Sequence, residues 1–374
     1  MSSFYIHIPF CKQACHYCDF HFSTSMKKKD EMILALAKEI AMRKNEVDDE
    51  VETIYFGGGT PSVLQISDLK FLIDEVYKNY NVSEDVEITL EANPDDLTAL
   101  QILKFSDSPI NRLSIGIQSF FEDDLQMMNR AHNAVQAKEC LQEATKYFDN
   151  ITIDLIYGIP EMSNEKWLEN IETALSFGIP HISAYALTVE PKTALKKLIE
   201  KGEIPKPKDE IAENHFFILV EKLKENGFIH YELSNFGKQG YFSKNNTSYW
   251  SGKKYIGIGP SAHSYNGTHR SWNISNNSIY IKEIQNGNLP SEVEKLTISD
   301  RYNEYVMTGL RTIWGISLEK IQADFGQNYY DYLIKTSEKL ITKGLLENNR
   351  QKIIITQKGK FLSDGLASEL FYVE

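Results

Sequence analysis

Six short, almost continuously apolar stretches recur along the first half of the chain, and they restrict its fold more than any other feature. They run from Phe4 to Pro9, Thr53 to Phe56, Val86 to Leu90, Arg112 to Ile117, Ile151 to Tyr157 and His181 to Leu187. Each has the length and composition of a strand, and longer segments of helical periodicity separate them. In SDLKFLIDEVYKNY, residues Leu69, Leu72, Ile73, Val76 and Tyr77 share one face at i, i+3, i+4 spacing, which predicts a helix with Ser67 as its N-cap. Strands apolar on both faces and alternating with helices form a parallel sheet covered by helices. Six repeats of this kind predict an α/β fold, an incomplete (β/α)6 barrel.

In such barrels chemistry gathers at the C-terminal ends of the strands, and the unusual residues fall there. Cys11, Cys15 and Cys18 follow the first strand, GGGTP (Gly57 to Pro61) the second, and EANP (Glu91 to Pro94) ends the third; Gln118 ends the fourth and Asp154 lies within the fifth. CxxxCxxC places three soft thiolates in one tight loop, which suits an iron-sulfur cluster with one iron left open. A zinc ion completed by His16 or Asp19 is the rival reading, although zinc sites usually draw ligands from two separated knuckles and no second knuckle exists here. Three packed, reduced thiols are the plainest reading, ill matched to polar neighbours such as His7, His16 and Asp19. Cys140, within AKECLQEATK, stands apart as an inert thiol.

A length of 374 residues implies two or three packed domains. With 42% apolar and 25% charged residues, neither disorder nor a fibre is indicated. The formal charge of -12 argues against a sequence-independent grip on nucleic acid, which needs clustered Lys and Arg. Four cysteines in so long a chain are no disulfide framework. MSSFYIHIPFCKQAC lacks a basic segment before an apolar one, and no run approaches the roughly 20 apolar residues of a membrane helix, so the expected location is cytoplasmic. Pro205 and Pro207 in KKLIEKGEIPKPKDEI mark a linker. The expected division is a barrel over 1–200, a mixed middle region over 201–295 and a C-terminal domain over 296–374. From about Thr297 the tail reads as three helices followed by GLLENNRQKIIITQKG, a two-stranded wing, hence a winged-helix-like domain.

YIHIPFCKQACHYCDF followed by GGGTPS resembles the radical S-adenosylmethionine superfamily. NRLSIGIQSF, RAHN (Arg130 to Asn133), DLIYGIP, HISAYALTVEP, YELSNF and IGIGPSAHS resemble its branch of oxygen-independent coproporphyrinogen III oxidases and related haem chaperones. The resemblance runs from Tyr5 into the tail. It implies a 4Fe-4S cluster on Cys11, Cys15 and Cys18, with S-adenosylmethionine chelating the open iron and an electron donor feeding the cluster. Tyr5 and Tyr17 would lie beside cluster and cofactor, and Gly58, Gly59 and Thr60 against the methionine moiety. Glu91, Gln118, Arg130 and Asp154 would meet the ammonium, the ribose hydroxyls and the carboxylate.

Two departures separate the chain from the oxidases, which resemble CxxxCxxCxC preceded by a long extension. Here Asp19 and Phe20 follow Cys18, and only ten residues precede Cys11. Both features resemble the haem chaperones, which implies haem as a bound group, a haem-acceptor protein as partner and, for membrane-bound acceptors, peripheral contact with a membrane. The alternative is a radical enzyme acting on coproporphyrinogen III or another tetrapyrrole, and no catalytic residue is assigned. The chaperones also carry HNxxYW, for which this chain has NNTSYW, Asn245 to Trp250, and an amide is a poor iron ligand beside imidazole. Asn246, Tyr249 and Trp250 are candidates for porphyrin contact or, equally, for packing at a domain junction. His263 in PSAHS and His230 in IHYE are candidate substitutes as iron ligand, each with a structural role as the plainer reading.

Overall fold

The computed structural model describes residues 2–47 and 49–373. Six parallel strands lie side by side in chain order: β1 (Ser2–Ile8), β2 (Val51–Gly58), β3 (Val82–Ala92), β4 (Arg112–Gln118), β5 (Ile151–Tyr157) and β6 (His181–Ala186). They contain every apolar run expected from the sequence except its last residue in two cases, Pro9 and Leu187. Helices α1 (Lys29–Met42), α2 (Ile66–Asn79), α3 (Ala99–Ser106), α4 (Glu122–Met127), α5 (Ala134–Ala144) and α6 (Asn164–Ser176) fill the crossovers. Side chains alternate across each strand. Phe4, Ile6, Ile8, Ile54, Phe56 and Leu90 face the helices and are almost fully buried, each worth about 1.5–3 kcal/mol of transfer free energy. The other face, turned into the barrel, carries Tyr5, Tyr55, Glu91, Arg112 and Asp154, so the interior is polar.

The start of α2 differs from expectation. Gln65, not Ser67, is the N-cap, because the Asp68 carboxylate accepts its backbone N–H at 3.3 Å and already pairs with Lys29 at 2.7 Å. Tyr77 sits at the margin of the apolar face and is 47% exposed.

Beyond β6 come α7 (Ala194–Glu200) and α8 (Asp209–Glu225), joined through Pro205 and Pro207. The strands that follow continue the barrel sheet at both edges. β7 (Ile229–Glu232) and β8 (Asn235–Gly237) extend the β6 edge; after α9 (Lys244–Trp250), β9 (Lys254–Ile258) pairs parallel to β1. Next, β10 (His263–Tyr265), β11 (His269–Asn273) and, after α10 (Asn277–Gln285), β12 (Ser291–Lys295) add antiparallel strands. The product is one open twelve-stranded sheet in the order β12-β11-β10-β9-β1-β2-β3-β4-β5-β6-β8-β7. The barrel stays incomplete.

A buried carboxylate ties the late strands to the first helix. Glu39 of α1 accepts from Arg43 (3.2 Å), the Asn273 amide (2.8 Å), the Gly259 backbone N–H (2.8 Å) and the Tyr280 hydroxyl (2.5 Å). The rest of the chain folds on its own core of Tyr302, Val306, Ile321, Leu333 and Ile353. It comprises α11 (Ile298–Leu310), β13 (Ile316–Ser317), α12 (Leu318–Phe325), α13 (Gln327–Thr342), β14 (Leu346–Asn348), β15 (Lys352–Ile355) and α14 (Ser363–Glu369), with strand order β13-β15-β14. The three helices α11 to α13 followed by the β14–β15 hairpin match the winged-helix expectation, and a fourth helix, α14, follows the wing.

Candidate functional site

The C-terminal ends of β1 to β6 surround a cavity of about 420 Å³. Its wall begins with the loop after β1, where Cys11, Cys15 and Cys18 all line the cavity. Backbone bonds hold this loop: Cys11 N–H donates to Ser23 O (3.1 Å) and His16 N–H to Met128 O (3.0 Å). Asn129, in the turn after α4, donates its amide to Ala14 O at 2.7 Å. The His16 ring is engaged through Nδ1 with Met127 O at 2.9 Å. Among the described residues no three His, Cys, Asp or Glu side chains converge as ligands of a single ion. One zinc would need all its sulfurs about 2.3 Å away, whereas a cluster spreads three thiolates over three irons. The donor set therefore fits the cluster reading better than the zinc reading.

GGGTP ends β2 directly beneath this loop. Gly59 N–H donates to Ile8 O (2.9 Å) and Thr60 N–H to Phe10 O (2.7 Å). A Cβ on Gly59 would stand 2.6 Å from Phe10 O, and Gly58 has φ +105°, so neither position tolerates a side chain without strain. Thr60 Oγ1 reaches Cys11 Sγ at 3.4 Å and accepts from the Asn93 amide at 3.1 Å.

Arg130 joins the remaining strand ends. Its guanidinium donates to Asn93 Oδ1 (2.6 Å), Gly116 O (2.9 Å), Tyr17 Oη (3.3 Å) and Cys15 Sγ (3.3 Å), while its buried Nε has no partner. Gln118 faces the same cavity with φ 66°. Glu91 and Asp154 show a little surface to the cavity and are otherwise enclosed by protein. Burial lifts the Glu91 carboxyl to about 7 against hydrogen bonds from Tyr55 Oη (2.7 Å) and the Gly58 N–H. Burial, reinforced by the charge of Glu91, lifts Asp154 to about 7 as well. Two such carboxyls facing one cavity can meet the cationic part of a ligand, and Arg130 in the same wall can meet an anionic part.

Of the residues expected here, Cys11, Cys15, Tyr17, Cys18, Gly58, Gly59, Thr60, Glu91, Gln118, Arg130 and Asp154 all line the one cavity. Tyr5 lies below it, its hydroxyl 3.1 Å from His7 Nδ1 and its ring stacked 6.1 Å from Tyr55. Sequence reading passed over Tyr55, Asn93, Gly116 and Tyr185. Three of these are polar positions on the inward face of apolar strands or at a strand end, a period-two signal that could have exposed them.

The NNTSYW segment is elsewhere. It forms α9, whose first turn closes the barrel's opposite end. The Glu87 carboxylate accepts both Lys244 and Asn245 N–H at 3.1 Å, and Thr53 donates to Asn245 Oδ1 at 3.1 Å. Asn245 is 2% exposed. Asn246 donates its backbone N–H to the capping hydroxyl of Ser243 at 3.2 Å. Trp250 lies under Arg311 of the C-terminal domain at 4.9 Å. Tyr249 packs edge-on to Tyr255 of β9 at 4.6 Å. His230 is engaged at both ring nitrogens, with Leu233 O (3.0 Å) and Lys360 Nζ (2.9 Å).

Residues 5–174 match the Radical SAM superfamily, and residues 296–362 match the HemN C-terminal domain. The chain is 35% identical over 370 residues to the haem chaperone HemW of Bacillus subtilis (strain 168), covering 97% of each. It is 31% identical over 373 residues to HemW of Mycobacterium tuberculosis (strain ATCC 25618 / H37Rv), covering 98% of this chain and 94% of that one. The structure of the Escherichia coli coproporphyrinogen III oxidase HemN, a radical SAM enzyme, superposes with a TM-score of 0.86 over 99% of this chain and 90% of that chain. At 22% identity that likeness concerns the fold. With the thiol loop, glycine cradle and cavity carboxyls in place, these relationships make the chain a member of the HemW family within the radical S-adenosylmethionine superfamily.

Proposed function

We propose that this protein is a cytoplasmic haem chaperone that binds a 4Fe-4S cluster and S-adenosylmethionine at the barrel mouth, takes up haem and delivers it to an acceptor protein. The observation that carries this reading is similarity to HemW relatives over nearly the whole chain, at 31% and 35% identity, joined to a cavity whose residues suit both cofactors. Cys11, Cys15 and Cys18 would hold the cluster, and the Gly58–Gly59 cradle would admit the methionine backbone closely. Glu91 and Asp154 would accept from its ammonium and the ribose, and Arg130 is held ready for a carboxylate by Asn93 and Gly116. When bound, cluster and cofactor together supply one-electron cleavage of the sulfonium bond. An electron donor is then required, and acceptors embedded in a membrane would be met peripherally, since no helix among the described residues is long and apolar enough to span one.

Anaerobically reconstituted protein is expected to bind haem in roughly equal stoichiometry with a saturable change of the Soret band. A titration without saturation overturns the reading. Parallel incubation with strong reductant and coproporphyrinogen III tests the oxidase alternative, which decarboxylated product would favour.

Cofactor affinity is expected to depend on pH. Both cavity carboxyls ionise near 7, so at pH 6 they are mostly neutral and lose the charge that holds an ammonium. S-adenosylmethionine should bind about tenfold more weakly at pH 6 than at pH 8, measured by equilibrium dialysis. The sign reverses for stability without ligand. A carboxyl raised in the folded state keeps its proton longer than in the unfolded chain, so its contribution is full below the unfolded pKa and is lost as pH rises through about 7.

A further inference from the structure

We propose that His263 is the haem iron ligand of this chain, in place of the first residue of its NNTSYW segment. The assignment rests on the haem-binding reading above. Asn245 is buried, hydrogen-bonded by Thr53 and held at its backbone by Glu87. It serves as part of the barrel floor, and no iron could reach it without dismantling α9.

The chain has nine histidines. His7, His132, His181 and His215 are buried. His16, His21 and His269 each have a ring nitrogen held by a neighbour, and His230 has both held. His263 alone is exposed, and its ring nitrogens have no hydrogen-bond partner among the described residues.

Strand alternation fixes the direction in which it points. Ser264 bonds Arg43 of α1 (3.1 Å), which covers the outer side of the sheet. Its neighbours His263 and Tyr265 therefore project to the inner, concave side. Opposite them on β11 stand Trp272 and Arg270, in register as His263↔Trp272 and Tyr265↔Arg270. The His263 and Trp272 rings are 6.1 Å apart at 33°. Tyr265 is 6.0 Å from Tyr255, which continues the row to Tyr249 of α9. The imidazole supplies one axial ligand, and the adjoining indole and phenols, tilted or edge-on to one another, present apolar ring edges beside it for the rim of a porphyrin.

Cations complete the site. Arg270 reaches this face and pairs with Glu304 at 2.7 Å. Arg301, on the facing helix α11, has a buried Nε without a partner. Two guanidiniums near one edge suit a pair of propionates. The surface lies where the sheet extension meets the C-terminal domain, so uptake and release need not disturb the cluster loop.

The test uses full-length reconstituted protein titrated with hemin, followed by Soret absorbance and by electron paramagnetic resonance of the ferric iron. His263→Ala should weaken binding at least about tenfold and abolish the imidazole-ligated spectrum. His263→Gly should regain that spectrum when free imidazole is added, whereas His269→Ala should behave as wild type. Equal iron and sulfide content in all variants will show that the barrel mouth is intact. Binding and spectrum unchanged in His263→Ala, or His263→Gly without rescue, overturns the ligand assignment while leaving haem binding in place. Wild-type protein that fails to bind overturns both.

Discussion

Replacing Cys15 by serine is expected to abolish cluster assembly and leave the fold unchanged. Serine oxygen is a hard donor that remains protonated near neutral pH and is a poor substitute for thiolate on iron-sulfide. The loop does not depend on the sulfur for its shape, because Cys11, His16 and Asn129 secure it through backbone carbonyls. The substitution removes the 3.3 Å approach of Arg130 to Cys15 Sγ, and Arg130 keeps Asn93 and Gly116. Iron and sulfide after reconstitution should fall to background with an unaltered far-ultraviolet circular dichroism spectrum. Wild-type iron and sulfide content in the variant would remove Cys15 from the ligand set.

The second large effect concerns stability, and it is expected far from the cavity. Glu39→Ala should cost about 3–5 kcal/mol, the range for removing one partner of a buried ion pair. Arg43 is 4% exposed and would retain only Glu46 and neutral acceptors, while the Gly259 N–H, the Asn273 amide and the Tyr280 hydroxyl would lose theirs. Because these donors come from the segment running from the end of β9 to α10, the loss should loosen the sheet extension before the barrel. Urea denaturation monitored by tryptophan fluorescence measures it, Trp272 being the reporter inside that extension. A shift below about 1 kcal/mol, the scale of an exposed pair, would show that the network is not holding the two parts together.

The six barrel strands were legible because their helix-facing residues are apolar and much of the inward face is enclosed too, which writes short, nearly continuous apolar runs broken by a few inward polar positions such as Arg112 and Asp154. The cysteine loop, GGGTP, Glu91, Gln118 and Asp154 followed from the barrel rule, whereas Tyr17 and Arg130, which lie in loops and not at strand ends, came from family resemblance; all of them meet in one cavity. Strands β7 to β12 were not legible. Segments such as IHYE and HRSWN mix aromatic and polar residues, since one face meets the helices and the other lines the open concave side, and their partners lie far away in sequence. Tyr5 was placed beside the cofactor by resemblance, yet inward-facing side chains stack in layers, and its layer is one below Gly57 and Glu91. Ser67 was a reasonable cap by residue type; the reciprocal bond from Asp68 selected Gln65 instead. The role of Asn245 could not be read at all, because it depends on Thr53 and Glu87 meeting at one end of the barrel.

The pairing of β1 with β9 sets Ser2 opposite Lys254 and Ile6 opposite Ile258. Strand β1 therefore finds one neighbour, β2, soon after its own synthesis and waits for the other until β9 has been made. Until then β1 presents an unpaired apolar edge, a template for association with other chains. Such distant pairing also slows folding, because the closure entropy is lost before the contact is gained. Production of this protein should thus respond strongly to slower translation, lower temperature and folding helpers, with cluster insertion best deferred until the sheet is complete.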